Sequence, residues 1–263
     1  MKLPPIYGNL RQDKFFIYAA ADSSYFDQFG PGLINSVQRN TDYGVHLHLY
    51  NPEDRQIEYC RSHPHVSVSW EYCPLAQFET AIKFWSQDNL PEPYASRKKK
   101  MLGMKQIDNN QDVPKWVLKT YYACMRFVRL AELIEQPTNF LEIDIDGVVR
   151  SSFPTNFDNN KDFYLYEKEK GGHLAGAILY TANSGSLKFI KELGDLLSSA
   201  IKDDNTYWFL DQNSIDSIIH KYNNGLLPIS YVDWRMNLDS SIWSAKGKRK
   251  ELEIFKKELA KYQ

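Results

Sequence analysis

Apolar positions along the chain fall into blocks of period two and period 3.6, which predict strands and helices in turn. Phe15 to Ala21 is a continuous apolar run of aromatic and small residues closing on Asp22, the pattern of a strand buried on both faces with a carboxylate at its end. Phe26, Ile34 and Val37 follow at roughly helical spacing in a stretch ending at Asn40, and Gly30-Pro31-Gly32 within it predicts a break or a late helix start. Val45 to Tyr50 is a second strand, stopped by Asn51-Pro52, and Val66 to Trp70 is a weaker third. This strand, helix, strand order predicts an α/β sheet with helices on both faces.

Residues 86 to 114 are polar, with Arg97-Lys98-Lys99-Lys100 and Asp108-Asn109-Asn110-Gln111-Asp112, which predicts a loop or irregular insertion whose basic run is a solvated surface. From Lys115 to Glu135, Val117, Tyr121, Cys124, Val128 and Ala131 define one buried stripe of a helix that Pro137 ends. In Phe140 to Asp146, Leu141, Ile143 and Ile145 alternate with Glu142, Asp144 and Asp146, so period two puts three carboxylates on one strand face. After a polar stretch from Asn156 to Lys170 come a small-residue strand, Leu174 to Tyr180, and helices over Leu187 to Ile201 and Gln212 to His220. No repeat or linker interrupts the pattern, so residues 1–263 are expected to form a single domain with a basic C-terminal segment, 243–263.

Composition narrows the function classes. A chain of 263 residues is long enough for a sizeable core. The 32 basic and 33 acidic side chains give a net charge of −1, so no global field draws nucleic acid or an anionic membrane, and a nucleic-acid partner is not expected. The 14% aromatic content favours surfaces that stack flat ligands. Cys60, Cys73 and Cys124 are odd in number and in no C-x-x-C arrangement, so neither a disulfide framework nor a structural zinc site is expected. No run is long enough to span a membrane and Met1 to Tyr7 lacks a signal-peptide pattern, which together predict a cytoplasmic protein, at most peripheral to a membrane.

Asp144-Ile145-Asp146 carries the most chemistry. Two carboxylates two residues apart at a strand end suit Mn²⁺ or Mg²⁺, which take carboxylate oxygens together with ligand phosphates, and open α/β sheets bind ligands at the carboxyl ends of their strands. The alternative is that both cap the turn at Gly147.

Two families use such a pair. Asp144 to Val149 looks like the first motif of haloacid-dehalogenase-type phosphatases, but that motif normally opens its domain, and no later Gly-Asp-x-x-x-Asp arrangement follows here. The chain more closely resembles nucleotide-sugar glycosyltransferases of the GT-A fold, in particular the glycogenin-like and lipopolysaccharide glycosyltransferase family. Four pieces occur in the family's order: the opening strand with Ala20 and Asp22; Tyr122-Ala123-Cys124-Met125-Arg126 followed by Asp144-x-Asp146; Ala175-Gly176-Ala177-Ile178-Leu179 with Trp208-Phe209-Leu210-Asp211-Gln212; and Ile242-Trp243-Ser244-Ala245-Lys246-Gly247.

The resemblance implies a Rossmann-like α/β domain with a mixed, mainly parallel sheet, moving a sugar from a nucleoside-diphosphate sugar, expected to be a UDP-sugar, to a saccharide or other hydroxyl acceptor with retention of configuration. It implies that Ala20, Asp22, Arg126, Asp144, His173, Lys246, Gly247 and Lys248 bind the donor, that Asp144 and Asp146 hold the metal, and that Asp211 and Gln212 face the reacting sugar. It also implies that the segment from Trp243 to Lys250 closes over the diphosphate. The sequence departs from the family where a third metal ligand, a His, is expected; Ser244 or Ala245 stands there, and Leu174 replaces the Asn before Ala-Gly.

Other candidates have plainer readings. His46 and His48 share a strand face and His63 and His65 flank Pro64, all expected in core or surface roles. His173 follows Gly171-Gly172 and is a candidate substrate contact. Arg129 is expected to pair with a structural carboxylate, Glu142 with Arg126 or Arg129, and Trp116, Tyr121 and Tyr122 to lie in the core. Other functions weighed are a phosphatase, a silent nucleotide-sugar binding protein, and a nucleotidyltransferase, which would need a Gly-rich loop where Ala19-Ala20-Ala21-Asp22 stands.

Overall fold

The computed structural model describes residues 2–12, 14–73, 83, 113–155, 157–167, 172–203 and 205–263. The basic run at 97–100 and most of the polar stretch around it lie outside the described residues.

The elements in chain order are β1 (Tyr7–Gly8), β2 (Phe16–Asp22), α1 (Ser23–Asn40), β3 (Gly44–Tyr50), α2 (Asp54–Arg61), β4 (Val66–Glu71), α3 (Val113–Leu133), β5 (Phe140–Ile143), β6 (Gly147–Val149), β7 (Phe163–Glu167), β8 (His173–Tyr180), α4 (Ser184–Lys202), α5 (Leu210–Ile218), β9 (Asn224–Leu226), β10 (Val232–Asp233), β11 (Ile242–Ser244) and α6 (Glu253–Leu259). The main sheet runs β1-β4-β3-β2-β5-β8-β7-β9, with β4, β3, β2 and β5 parallel and β8 antiparallel to both β5 and β7. β10, β11 and β6 form a small second sheet.

Period two decides which core each strand residue joins. Phe16, Tyr18 and Phe140 face one layer with α3, α4 and α5, while Ile17, Ala19, Ala21, Leu141 and Ile143 face the other with α1, α2 and α6. Covered on both sides, β2 and β3 are buried along nearly their whole length, β2 with an apolar run and β3 with His46 and His48 paired to serines of β4.

Several expectations shift. Gly30-Pro31-Gly32 does not interrupt α1, which runs from Ser23 to Asn40 with Pro31 inside it. The glycines serve packing: a Cβ on Gly32 would come within 2.3 Å of Leu259 Cδ1, and one on Gly30 within 2.6 Å of the Phe26 ring, so they admit α6 against the helix and leave room for the ring of Phe26 one turn earlier. The polar stretch from Asn156 to Lys170 contains β7, whose Phe163 and Leu165 are buried, and α2 arises from a capping box at Glu53 and Gln56.

The strand expected over Phe140 to Asp146 stops at Ile143. There the chain turns, Gly147 N donating to the Asp144 carbonyl at 3.1 Å, and continues as β6 in the second sheet. The three carboxylates therefore do not share one face through Asp146.

Candidate functional site

From β2 the chain steps through β3 to β4 on one side of the sheet, whereas β5 adds on the other, so the carboxyl ends of β2 and β5 flank a topological switch point where open α/β sheets leave a crevice. Ala20 and Asp22 are half-buried at this end of β2. Asp22 has a structural role, since its Oδ1 accepts from Tyr25 N at 2.8 Å and caps α1.

Arg126 projects from α3 into the crevice, its backbone carbonyl fixed by the Tyr18 hydroxyl at 2.8 Å. Its guanidinium donates through Nη1 to Asp144 Oδ1 at 2.5 Å and through Nη2 to the Ala175 carbonyl at 2.6 Å. Nε lies 3.2 Å from Glu142 Oε1, and Nη2 lies 3.6 Å from Asp211 Oδ2. A planar fork with five donors is the side chain suited to gathering three carboxylates and a carbonyl. Gly176 makes room for them, since a Cβ there would come within 2.9 Å of Asp144 Oδ2.

Burial works against the Arg126 charge, but Asp144, Glu142 and Asp211 outweigh it and hold the guanidinium firmly protonated. The reverse holds for Glu142, which burial pushes up to about 8 despite Arg126 and the Tyr180 hydroxyl, 3.0 Å from its Oε2. Burial likewise raises the Asp211 carboxyl, against the pull of Arg126 and the Gln212 backbone N–H. Asp144 is the open member of the cluster, its side chain 37% exposed.

Asp146 turns elsewhere. Its Oδ1 accepts from Ser244 Oγ at 3.3 Å and its Oδ2 lies 2.5 Å from Lys250 Nζ. The same ammonium sits 4.5 Å from the Tyr25 ring centroid and 5.1 Å from that of Phe29. Burial first, and Asp144 besides, push the Asp146 carboxyl up to about 6 against Lys250 and Ser244.

A divalent cation between Asp144 and Asp146 would need several free carboxylate oxygens. Asp146 is 5% exposed with both oxygens engaged, Asp144 Oδ1 is held by Arg126, and Ser244, where a His would be sought, turns its hydroxyl to Asp146. Among the described residues, no group of three or more His, Cys, Asp or Glu side chains could hold a metal ion. The donor set as it stands does not fit a divalent cation.

The remaining predicted residues divide between the cluster and other places. Asp211 opens α5 next to Arg126, with Gln212 half-buried beside it, and the turn is entered through Phe209 at a left-handed φ of 74°, a strained backbone for a residue with a side chain. Lys246 acts on Asp211 from the start of the 3-10 turn Gly247–Glu251, and Gly247 adopts φ 62°. Lys246, Gly247 and Lys248 are exposed, whereas Trp243, expected in a closing segment, is buried in β11. His173 is tied to α5, its Nδ1 2.7 Å from Asp216 Oδ1.

Lys250 and Tyr25 are site residues that sequence reasoning does not find. Lys250 is one of seven basic residues in the tail, and nothing in its spacing sets it apart. His46 and His48 are fully buried and share Ser69 Oγ, at 2.9 and 2.8 Å, and so belong to the core.

The sequence matches no family profile and no curated protein. The structure is similar to that of the galactosyltransferase LgtC in complex with donor and acceptor sugar analogs, with a TM-score of 0.56 and 11% identity over 95% of this chain and 96% of that one. It is also similar to the apo structures of the bifunctional glycosyltransferase WbbM (TM-score 0.53, 13% identity, 97% of this chain) and of the glycosyltransferase GlyE from Streptococcus pneumoniae TIGR4 (0.55, 11%, 94%). The chain spans about half of the WbbM chain, 51%, and 60% of the GlyE chain. The protein has the GT-A fold that these structures share.

Proposed function

We infer that this protein is a glycosyltransferase that moves a hexose from a nucleoside-diphosphate sugar, with a UDP-sugar the expected donor, to a hydroxyl acceptor. The observation that carries it is the cluster of Arg126, Asp144 and Asp211 at the switch point of a GT-A fold, which brings together three parts of the chain 18 to 85 residues apart in sequence. LgtC, which has this fold, was solved with donor and acceptor sugar analogs, and that supports the same class of ligands here.

In the reaction proposed, the bond between the sugar's anomeric carbon and the diphosphate oxygen breaks and its electron pair leaves on the diphosphate. The acceptor oxygen bonds to the same carbon, and its proton passes to the departing phosphate. Asp144 and Asp211, oriented by Arg126, would hold the sugar hydroxyls and steady the positive charge that develops on the ring, as carboxylates do in other glycosyl transfers. Lys246 and Lys248 would meet the leaving diphosphate. Retention of configuration, a single domain over 1–263 and a cytoplasmic setting complete the proposal. Among the described residues no helix is long and apolar enough to cross a membrane, and the three cysteines are buried and free.

The phosphatase alternative asks Asp144 to attack phosphorus, yet its Oδ1 is held by Arg126. A thermal-shift screen of UDP, GDP, CDP and their sugars tests the proposal, since a ligand bound only to the folded state raises its apparent stability. One base should raise Tm, and its sugar should be turned over by the wild type but not by Asp144→Asn. Binding with no turnover of any donor would leave the silent binding protein as the function.

A further inference from the structure

Lys250 is placed with more care than a tail lysine needs. β11 pairs antiparallel with β6 in the register Ser244 to Gly147, which sets Ser244 beside Asp146, and Trp243, 1% exposed, anchors the strand. Four exposed residues, Lys246 to Arg249, then lead from β11 into the 3-10 turn Gly247–Glu251 before Lys250 folds back inward. Its ammonium meets Asp146 from the turn after β5, and the Tyr25 and Phe29 rings from α1. Two separate elements, the turn after β5 and α1, thus surround one cation at the second carboxylate of the Asp-x-Asp pair.

An ion pair this buried carries a desolvation cost, and removing only one partner leaves an uncompensated charge. The partner of Lys250, Asp146, lies two residues from Asp144 and within electrostatic reach of it, which gives that arrangement a use. An ammonium has three N–H donors; Asp146 takes one and the Tyr25 hydroxyl, at 3.4 Å, a second, which leaves the third for a phosphate oxygen.

We propose that the Lys250 ammonium occupies the place of a divalent cation, and that the protein binds its nucleoside diphosphate and transfers its sugar without one. The proposal rests on the transferase reading above and replaces the expected Mn²⁺ or Mg²⁺ with a fixed point charge. Lys250 neutralises Asp146, Lys246 lies within electrostatic reach of Asp211, and the exposed Lys248 and Arg249 add positive charge towards the leaving diphosphate. A metal ion would first have to displace Lys250.

Two measurements test this on the whole protein. Calorimetric titration with UDP, GDP and CDP is run in excess chelator and again in Mn²⁺, for the wild type, Lys250→Met and Lys250→Arg, with Tm recorded for each. The free-ion EPR signal of Mn²⁺ is followed as wild-type protein is added without nucleotide. Wild-type affinity for the best nucleoside diphosphate should agree within about twofold in the two buffers, Lys250→Met should weaken it by about tenfold or more, Lys250→Arg should regain most of the loss, and the Mn²⁺ signal should stay unchanged. An affinity that rises by about tenfold in Mn²⁺, or a Mn²⁺ signal quenched by the wild type, would overturn the proposal even if Lys250→Met failed to fold. Undiminished binding by a folded Lys250→Met would overturn it too. If none of the three diphosphates binds in either buffer, the transferase reading itself falls and this proposal with it.

Discussion

Arg126 and Arg129 lie three residues apart on α3, both buried, both amid carboxylates, yet they form different kinds of structure. Arg129 is closed. Its Nε donates to Glu71, Nη1 to Glu132 Oε2 at 2.5 Å and Nη2 to the Pro4 carbonyl at 2.8 Å, while Glu71 also accepts from the Tyr121 hydroxyl at 2.6 Å. Glu71 is fully buried and its carboxyl is nonetheless held low, because His48, Arg129 and Tyr121 outweigh the burial that would raise it. Arg126 is open: one guanidinium faces Glu142, Asp144 and Asp211, and Asp144 reaches solvent. Burial holds Glu142 above the usual carboxylate range and raises Asp211 as well. A buried arginine with satisfied partners thus acts as a strut, whereas one with a surplus of acceptors and an exposed carboxylate marks a site.

Three substitutions put that contrast at risk. Arg129→Met should have the largest effect on stability, about 3–5 kcal/mol, because it strands a fully buried Glu71. Chemical denaturation reads this directly. Arg126→Met should cost less stability, since Asp144 can hydrate and Glu142, raised to about 8, already holds its proton near neutral pH, but it should lower sugar transfer by a factor on the order of 100, as the loss of a positioned donor at a reacting centre does. Should Arg126→Met unfold the protein while Arg129→Met leaves it intact, the assignment of strut and site would have to be exchanged.

The smallest effect is a pH dependence. Glu142 ionises near pH 8 in the folded protein against an ordinary value of 4.5, so between these values the unfolded chain has released a proton that the folded state still binds. Its contribution to stability is therefore complete below about pH 4.5 and shrinks as pH rises through that window. Glu142→Gln keeps an acceptor for Tyr180 and removes the titration. Its Tm should fall less than that of the wild type between about pH 5 and 8, with Asp146 and Asp211 retaining part of the slope. Parallel Tm curves for the two proteins would show that Glu142 is already ionised in the fold.

The framework is legible in the sequence where one rule governs a whole segment. The stripe from Val117 to Ala131 lies within α3, and the runs at Phe15, Val45 and Leu174 are strands, because burial on one or both faces writes its period directly into the residues. Asp144, Arg126 and Asp211 are legible as candidates through the ordered motifs. The sequence does not show α1 continuing through Gly30-Pro31-Gly32, where Gly32 lies against Leu259 of α6, nor β7, whose five residues are flanked by polar ones in sequence.

Local period and residue type were enough to set the α/β alternation, the apolar strands at the centre of the sheet and the carboxylates at their ends, because they act before any long-range contact forms. Which cation meets which carboxylate was left to tertiary contacts. The turn at Gly147 sends Asp146 away from Arg126, and the register of β11 on β6 sets Ser244 beside it. The 3-10 turn after β11 then returns Lys250 across 104 residues of chain to within 2.5 Å. Such pairings depend on the geometry of turns and strand register far apart in sequence, to which a tail of seven similar basic residues offers no local clue.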